Sequence, residues 1–398
     1  MTAAPGGAAG RIRSQHPQSA SDTIAPVQPL ERYTPSAGLS VPLITVLDRQ
    51  GRVLEDQQRE VVRFAIQNGA GADIIFAAGT TGEWDRLDNP RRQLVSRVAV
   101  EECRRSTRGD LKVEAWIGIT APTRPETLAN LAYAIELAAD AAVVAPLSIV
   151  DVSDPVDFVS REIEAVFQKR GRKIPVFLYD NAEIAAPGRA AHLHTRDVKQ
   201  MSRLQYVRGM KVTAGKSVLG NYMRAASHFK LGGEFAIYAG NPYLIFDLFA
   251  PHAGFAGTLR HYWNRYWTQR ALPYGVVAGP ANAMPREWKR AWMVCRAQDQ
   301  PRMTRYAEIL EGFRAACVFD RNGAKVRPTI ACLKAALVEH GACESDAVAP
   351  GTPALEAGER REFSRRFAEL RRRAVDALEP GWLSECAPAS GAVRHQHG

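Results

Sequence analysis

From Gly38 onward the chain alternates short apolar runs with longer segments of helical period, and no other feature limits its fold so strongly. Eight runs read as strands: 41–47, 73–78, 112–117, 141–145, 175–178, 205–211, 235–238 and 275–278. Each is too short for a helix and is bounded by turn residues or charges. The segments between them carry helix signals. Val61, Phe64 and Ala65 share one face of the first, which stops at Asn68-Gly69. Asn89-Pro90 caps and opens the second, with proline at the first helical position. Thr123 and Glu126 have capping-box spacing at the start of the third, where Leu128, Leu131, Ala132 and Ile135 form a stripe. Runs that are apolar throughout, each feeding a helix, describe a parallel sheet covered on both faces. Eight of them close naturally into a (β/α)8 TIM barrel. The alternative is an open doubly wound sheet, whose dinucleotide-binding form is weakened because no G-x-G-x-x-G follows the first run.

The barrel is expected over 38–285, followed by an appended C-terminal helical region over 286–380 with helices at 286–316, 328–340 and 357–378. Phe363, Phe367, Leu370, Ala374 and Leu378 mark the buried face of the last. The stretches 1–37 and 381–398 read as disordered tails, the first rich in Ala, Gly, Pro and Ser without hydrophobic periodicity. An insertion at about 249–272 interrupts the pattern with aromatic and basic residues such as His252, Phe255, Trp263 and Trp267. It reads equally as a lid, a subunit contact or a peripheral helix. Gly257-Thr258-Leu259 competes with 275–278 for the eighth strand, and the Val276-Val277 core favours the latter.

A net charge of +10 suits small anionic substrates. Its positive residues are interspersed with acids and no nucleic-acid motif accompanies them, so neither nucleic acid nor membrane is expected as a partner. Six cysteines without a C-x-x-C pair read as reduced thiols of a cytoplasmic protein.

In a barrel of this kind chemistry collects where strands end. The second strand runs into Gly79-Thr80-Thr81-Gly82-Glu83, whose glycines, hydroxyls and N–H groups suit a carboxylate, or simply a tight strand-to-helix turn. The fifth ends in Tyr179, a proton carrier or a structural phenol. The sixth ends in Lys211, where desolvation favours a nucleophilic amine unless the head group reaches solvent. The nine histidines lack metal-ligand spacing and no G-x-S-x-G elbow is present, so an amine becomes the leading electron sink and no metal or cofactor is expected.

Taken together, these strand ends resemble the dihydrodipicolinate synthase / N-acetylneuraminate lyase family. The likeness runs from about Gly38 to Val375 and rests on Gly79-Thr80-Thr81-Gly82-Glu83 with Leu87, on Tyr179, and on Gly209-Met210-Lys211-Val212-Thr213-Ala214-Gly215. Gly275-Val276-Val277 with Asn282 and Pro285, and Leu333-Lys334-Ala335-Ala336-Leu337, add to it. The resemblance implies a covalent imine between Lys211 and a small-molecule 2-keto acid such as pyruvate, with an aldehyde as a second reactant. It further implies Tyr179 moving protons, Thr80 as its relay, Thr81 with Gly79 and Gly82 at the carboxylate, Val277 lining the pyruvate end, and a homodimer or homotetramer.

Two departures bear on substrate. Where the family has Pro-Tyr-Tyr after the fourth strand, this chain has Pro146-Leu147-Ser148. Where its lysine-pathway members hold a second carboxylate with arginine, this chain has Ile184, with Arg189 further on. These favour an aldolase or dehydratase of a 2-keto acid, including 2-keto-3-deoxy sugar acids, over dihydrodipicolinate synthase proper. A barrel that has lost catalysis and serves as a binding or regulatory protein is the reading from another class.

Overall fold

The computed structural model describes residues 30–226, 228–229, 235–250 and 272–378. Eight parallel strands close into a barrel in chain order: β1 (Gly38–Pro42), β2 (Ile74–Ala77), β3 (Glu114–Gly118), β4 (Ala141–Val144), β5 (Val176–Asn181), β6 (Val207–Thr213), β7 (Ala236–Ala239) and β8 (Gly275–Val277). Closure is direct, since β1 pairs with both β2 and β8. All strand residues except Thr213 are buried, as expected of a sheet clad by helices outside and filled by side chains inside. Alternation sends Ile75, Leu178 and Met210 outward to the helices, and Phe76, Tyr179 and Val277 inward.

The first strand lies earlier than the sequence suggests. The run 41–47 was expected to be strand, but pairing covers Gly38–Pro42 and the apolar residues beyond form a buried loop. Side chains satisfy that loop's backbone: Val46 N donates to Gln58 Oε1 (2.8 Å), Gln58 Nε2 donates to Ile44 O (3.1 Å), and Ile44 N donates to Asn282 Oδ1 (3.2 Å). A buried loop of this kind is as apolar as a strand, so the two look alike in sequence.

The barrel's N-terminal mouth is stoppered by residues expected to be tail. Within 30–37, Tyr33 is buried and its hydroxyl donates to Glu114 Oε2 at 3.0 Å. Glu114, itself fully buried, also accepts from Trp116 Nε1, Ser36 Oγ and Lys112 Nζ at 2.9, 2.7 and 3.0 Å. The rest of that tail, 1–29, lies outside the described residues, as do 251–271 of the insertion and 379–398.

Helices Glu55–Ile66, Asn89–Ser106 and Arg124–Glu136 fall where their signals stood, except that the second is capped by Asp88, accepting from Arg91 N at 3.0 Å, so Asn89 is its first residue and Pro90 its second. The Thr123 capping box does not form, because Thr123 Oγ1 donates to Glu126 Oε2 instead of accepting from the backbone. The helix expected over 286–316 is two, Pro285–Ala297 and Gln300–Ala316. They break at left-handed Gln298, after which Asp299 caps the second by accepting from Arg302 N. A hairpin, β9 (Phe319–Arg321) with β10 (Ala324–Val326), turns through Asn322-Gly323, both at positive φ. Thr329–Glu339 and Ala357–Ala377 complete the helical region, with Phe363, Phe367, Leu370, Ala374 and Leu378 all buried. No helix among the described residues is long and apolar enough to cross a membrane.

Candidate active site

Strand register brings the two chemically distinctive residues together. Tyr179 on β5 stands opposite Lys211 on β6, so both side chains rise on the inner face at the C-terminal mouth. Lys211 is 5% exposed, with Nζ 3.9 Å from the centroid of the Tyr179 ring and 5.0 Å from that of Phe76. Among the described residues it has no carboxylate partner, unlike the lysines at 173, 216, 289 and 334. Its surroundings are aromatic faces, which tolerate a cation yet leave the nitrogen's lone pair free once the proton departs. Below, Trp116 stacks on Phe177 (4.0 Å between centroids) and Tyr238 packs edge-on to both, giving the pocket an apolar floor.

The Tyr179 hydroxyl lies 3.2 Å from Thr80 Oγ1 and 3.1 Å from Asn181 Nδ2. Burial pushes this phenol up, but the Lys211 charge and the hydroxyls of Thr80 and Thr213 outweigh burial and hold it below the ordinary tyrosine value. Thr213 Oγ1, itself shielded from solvent, is close enough to favour the ionised phenol but meets no hydrogen-bond geometry among the described residues.

The turn after β2 is built to hold the two threonines still. Its left-handed positions are Ala78 (φ 53°) and Glu83 (φ 60°), neither of them glycine, which costs about 1–2 kcal/mol each. Gly79 and Gly82 answer a different need: a Cβ at Gly79 would meet the Phe76 ring at 2.9 Å, and one at Gly82 would meet Leu43 O at 2.9 Å. Thr80 and Thr81 open a single 3-10 turn, so their N–H groups have no carbonyl within that turn to bond. Thr81 Oγ1 faces the loop after β8, where a Cβ on Gly279 would lie 3.5 Å away. Val277, just before that loop, belongs to the same interior cluster as Tyr179 and Phe76. Asn282 ties the loop to β1 by donating to Pro42 O and Gly279 O, both at 2.8 Å.

Behind the turn, Glu83 and Lys334 form an ion pair at 2.6 Å with both side chains fully buried. Lys334 also donates to Ala347 O and Glu83 accepts from Ala349 N, so the C-terminal helical region grips the threonine turn from outside.

At the mouth, Ile184 packs on the interior apolar cluster, and Arg189 donates to Val150 O and Ser153 O at 3.1 and 3.2 Å. Its guanidinium is thus engaged on the loop after β4. Ser148 is buried in the turn Pro146–Ser148, and the next loop is tied there by Ala186 N donating to Leu147 O. All the residues singled out in the sequence at the ends of β2, β5, β6 and β8 therefore meet at one end of the barrel. Asn181, Phe76 and Thr213 were not assigned from the sequence. The available signal was period two: 179 and 181, like 211 and 213, share a strand face.

The fold is a closed parallel (β/α)8 barrel with an aromatic-flanked lysine and a buried tyrosine at its C-terminal mouth. The model of the dihydrodipicolinate synthetase family matches residues 35–258, more than half of the chain, and the chain belongs to that family. Over 65 residues it is 38% identical to a 4-hydroxy-tetrahydrodipicolinate synthase of Syntrophotalea carbinolica, a match covering 16% of this chain and 22% of the relative. Among solved structures, dihydrodipicolinate synthase of Bacteroides thetaiotaomicron superposes with a TM-score of 0.67 at 19% identity, over 85% of this chain and 99% of that one. N-acetylneuraminate lyase of Fusobacterium nucleatum superposes with a TM-score of 0.63 at 13% identity, over 84% and 98%. At these identities the likeness to solved structures is one of fold.

Proposed function

We propose that this protein is a lyase that binds pyruvate or a related 2-keto acid as an imine on Lys211. The observation that carries the reading is a buried amine with no carboxylate partner among the described residues, its nitrogen over the ring of a tyrosine held below the ordinary tyrosine value. The phenolate takes a proton from the Lys211 ammonium, and the free amine attacks the ketone carbon. Tyr179 then returns that proton to the carbinolamine oxygen, which leaves as water, and Thr80 relays protons between Tyr179 and the ligand. The protonated imine draws electrons from the adjacent carbon, so a bond there breaks or forms through an enamine. The Thr81 hydroxyl and the N–H groups of Thr80 and Thr81 receive the carboxylate, beside Val277, while the Gly82 N–H closes the turn onto Gly79 O. No cofactor is required beyond the covalent imine.

Within this class the reading favours aldol cleavage, condensation or dehydration, with a 2-keto-3-deoxy sugar acid as the leading substrate, over dihydrodipicolinate synthesis. A second carboxylate at the mouth wants a bidentate guanidinium; Ile184 offers none, and Arg189 is occupied by Val150 O and Ser153 O. The Thr213 hydroxyl, beside Tyr179 and with no hydrogen bond within geometric limits among the described residues, suits a hydroxylated chain. Turnover of aspartate semialdehyde with pyruvate should be weak beside that of neutral aldehydes or 2-keto-3-deoxy acids, followed by pyruvate or by dehydration product. Aspartate semialdehyde outrunning the rest would refute this choice of substrate. The rival reading, a binding or regulatory barrel, requires ligand binding to survive both Lys211→Ala and Tyr179→Phe.

A further inference from the structure

Asn181 ends β5 two residues beyond Tyr179, so both side chains lie on the barrel's inner face, and Asn181 is only 7% exposed. Its amide has a fixed orientation. Oδ1 accepts from Glu183 N at 3.1 Å, capping the turn Ala182–Ile184, which leaves Nδ2 pointing at the Tyr179 hydroxyl, 3.1 Å away. An amide nitrogen only donates. The Tyr179 oxygen therefore accepts from Asn181, its own proton turns elsewhere, and Thr80 Oγ1 at 3.2 Å is an acceptor within hydrogen-bond distance. We propose that Asn181 is a positioning residue: it aims the Tyr179 proton at Thr80 and keeps a donor on the phenolate after that proton leaves. This rests on the imine reading for its catalytic meaning, but its effect on Tyr179 can be measured without any substrate.

Two variants separate the donor from the cap. Asn181→Leu removes both. Asn181→Asp keeps an acceptor for Glu183 N and replaces the donor with a second acceptor, which reverses the Tyr179 proton and adds a repelling charge. The readout is the tyrosinate absorbance titration of each protein minus that of its Tyr179→Phe counterpart. Tyr179 should separate cleanly, since burial pushes Tyr33, Tyr206, Tyr222, Tyr238 and Tyr243 the other way. Losing a hydrogen bond to a charged oxygen should move the Tyr179 midpoint up by about one to two pH units in Asn181→Leu, and further in Asn181→Asp. The acid limb of borohydride trapping with pyruvate should move by the same amount, with the plateau at high pH largely retained in Asn181→Leu. An unchanged midpoint in either folded variant, or a loss of trapping uniform across pH, overturns the proposal. A wild-type protein that traps neither pyruvate nor any longer 2-keto acid while the midpoint still moves upholds the role of Asn181 and rejects the imine reading, so the two failures are distinguishable.

Discussion

Tyr179 sits where burial alone would keep a phenol protonated, yet the balance of its neighbours runs the other way. Burial opposes ionisation most strongly among the individual influences; the Lys211 charge and two hydroxyls together exceed it. Because the folded value is lowered, the phenolate that the proposed mechanism uses appears as pH rises through a midpoint below 10. The acid limb of imine formation should therefore lie below pH 10. Tyr179→Phe should abolish that limb and slow trapping by roughly 10²–10⁴-fold, measured as initial rate against pH. A Phe variant with the wild-type profile would remove Tyr179 from the chemistry. The strand ends carrying Thr80, Thr81, Tyr179, Lys211 and Val277 were legible because a barrel puts such ends in one place. Asn181 was not, since its meaning depends on Glu183 N fixing the amide, a contact no spacing announces. The turn glycines were legible as glycines but for another reason: their missing Cβ atoms make room for Phe76 and Leu43 O.

The element that holds the threonine turn is a helix from the far end of the chain. Lys334, on Thr329–Glu339, reaches Glu83 in a fully buried pair, and burial outweighs the attraction of Glu83 to bring the lysine below its ordinary value. Removing one partner strands the other charge, so Lys334→Met should cost about 3–5 kcal/mol in denaturant unfolding, with the double variant Glu83→Gln/Lys334→Met recovering most of it. A single variant as stable as wild type would show the pair to be dispensable. Leu333–Leu337 stood out in the sequence, but its link to Glu83 lies 251 residues away and no local pattern encodes it. Elsewhere the errors were local. The run 41–47 misled because a buried loop satisfied by Gln58 and Asn282 is as apolar as a strand. The hairpin through Asn322-Gly323 carried a standard turn signal, and its strands, three residues each with only Phe319 buried, were too short to register.

Across the whole molecule, His340 joins the barrel to its helical annex. Its ring packs on Phe64 and Phe367, 4.8 and 5.5 Å between centroids, and its Nε2 pairs with Ala283 O at 2.9 Å, a contact that by itself favours the charged form but is outweighed. Burial, with the Arg371 charge behind it, lowers its value from 6.5 to about 4. Between those values the unfolded chain binds a proton that the folded one refuses, so stability is full above pH 6.5 and falls as pH drops toward 4. The loss is on the order of 2–3 kcal/mol, and His340→Gln should flatten that part of the stability curve relative to wild type. A curve equally steep in the variant would assign the acid sensitivity elsewhere. The central claim, however, concerns one nitrogen. Incubation with pyruvate and borohydride, followed by peptide mass spectrometry, should find a reduced adduct on Lys211 and none in Lys211→Ala. An adduct on another lysine, or no adduct with pyruvate or any longer 2-keto acid, would contradict the account.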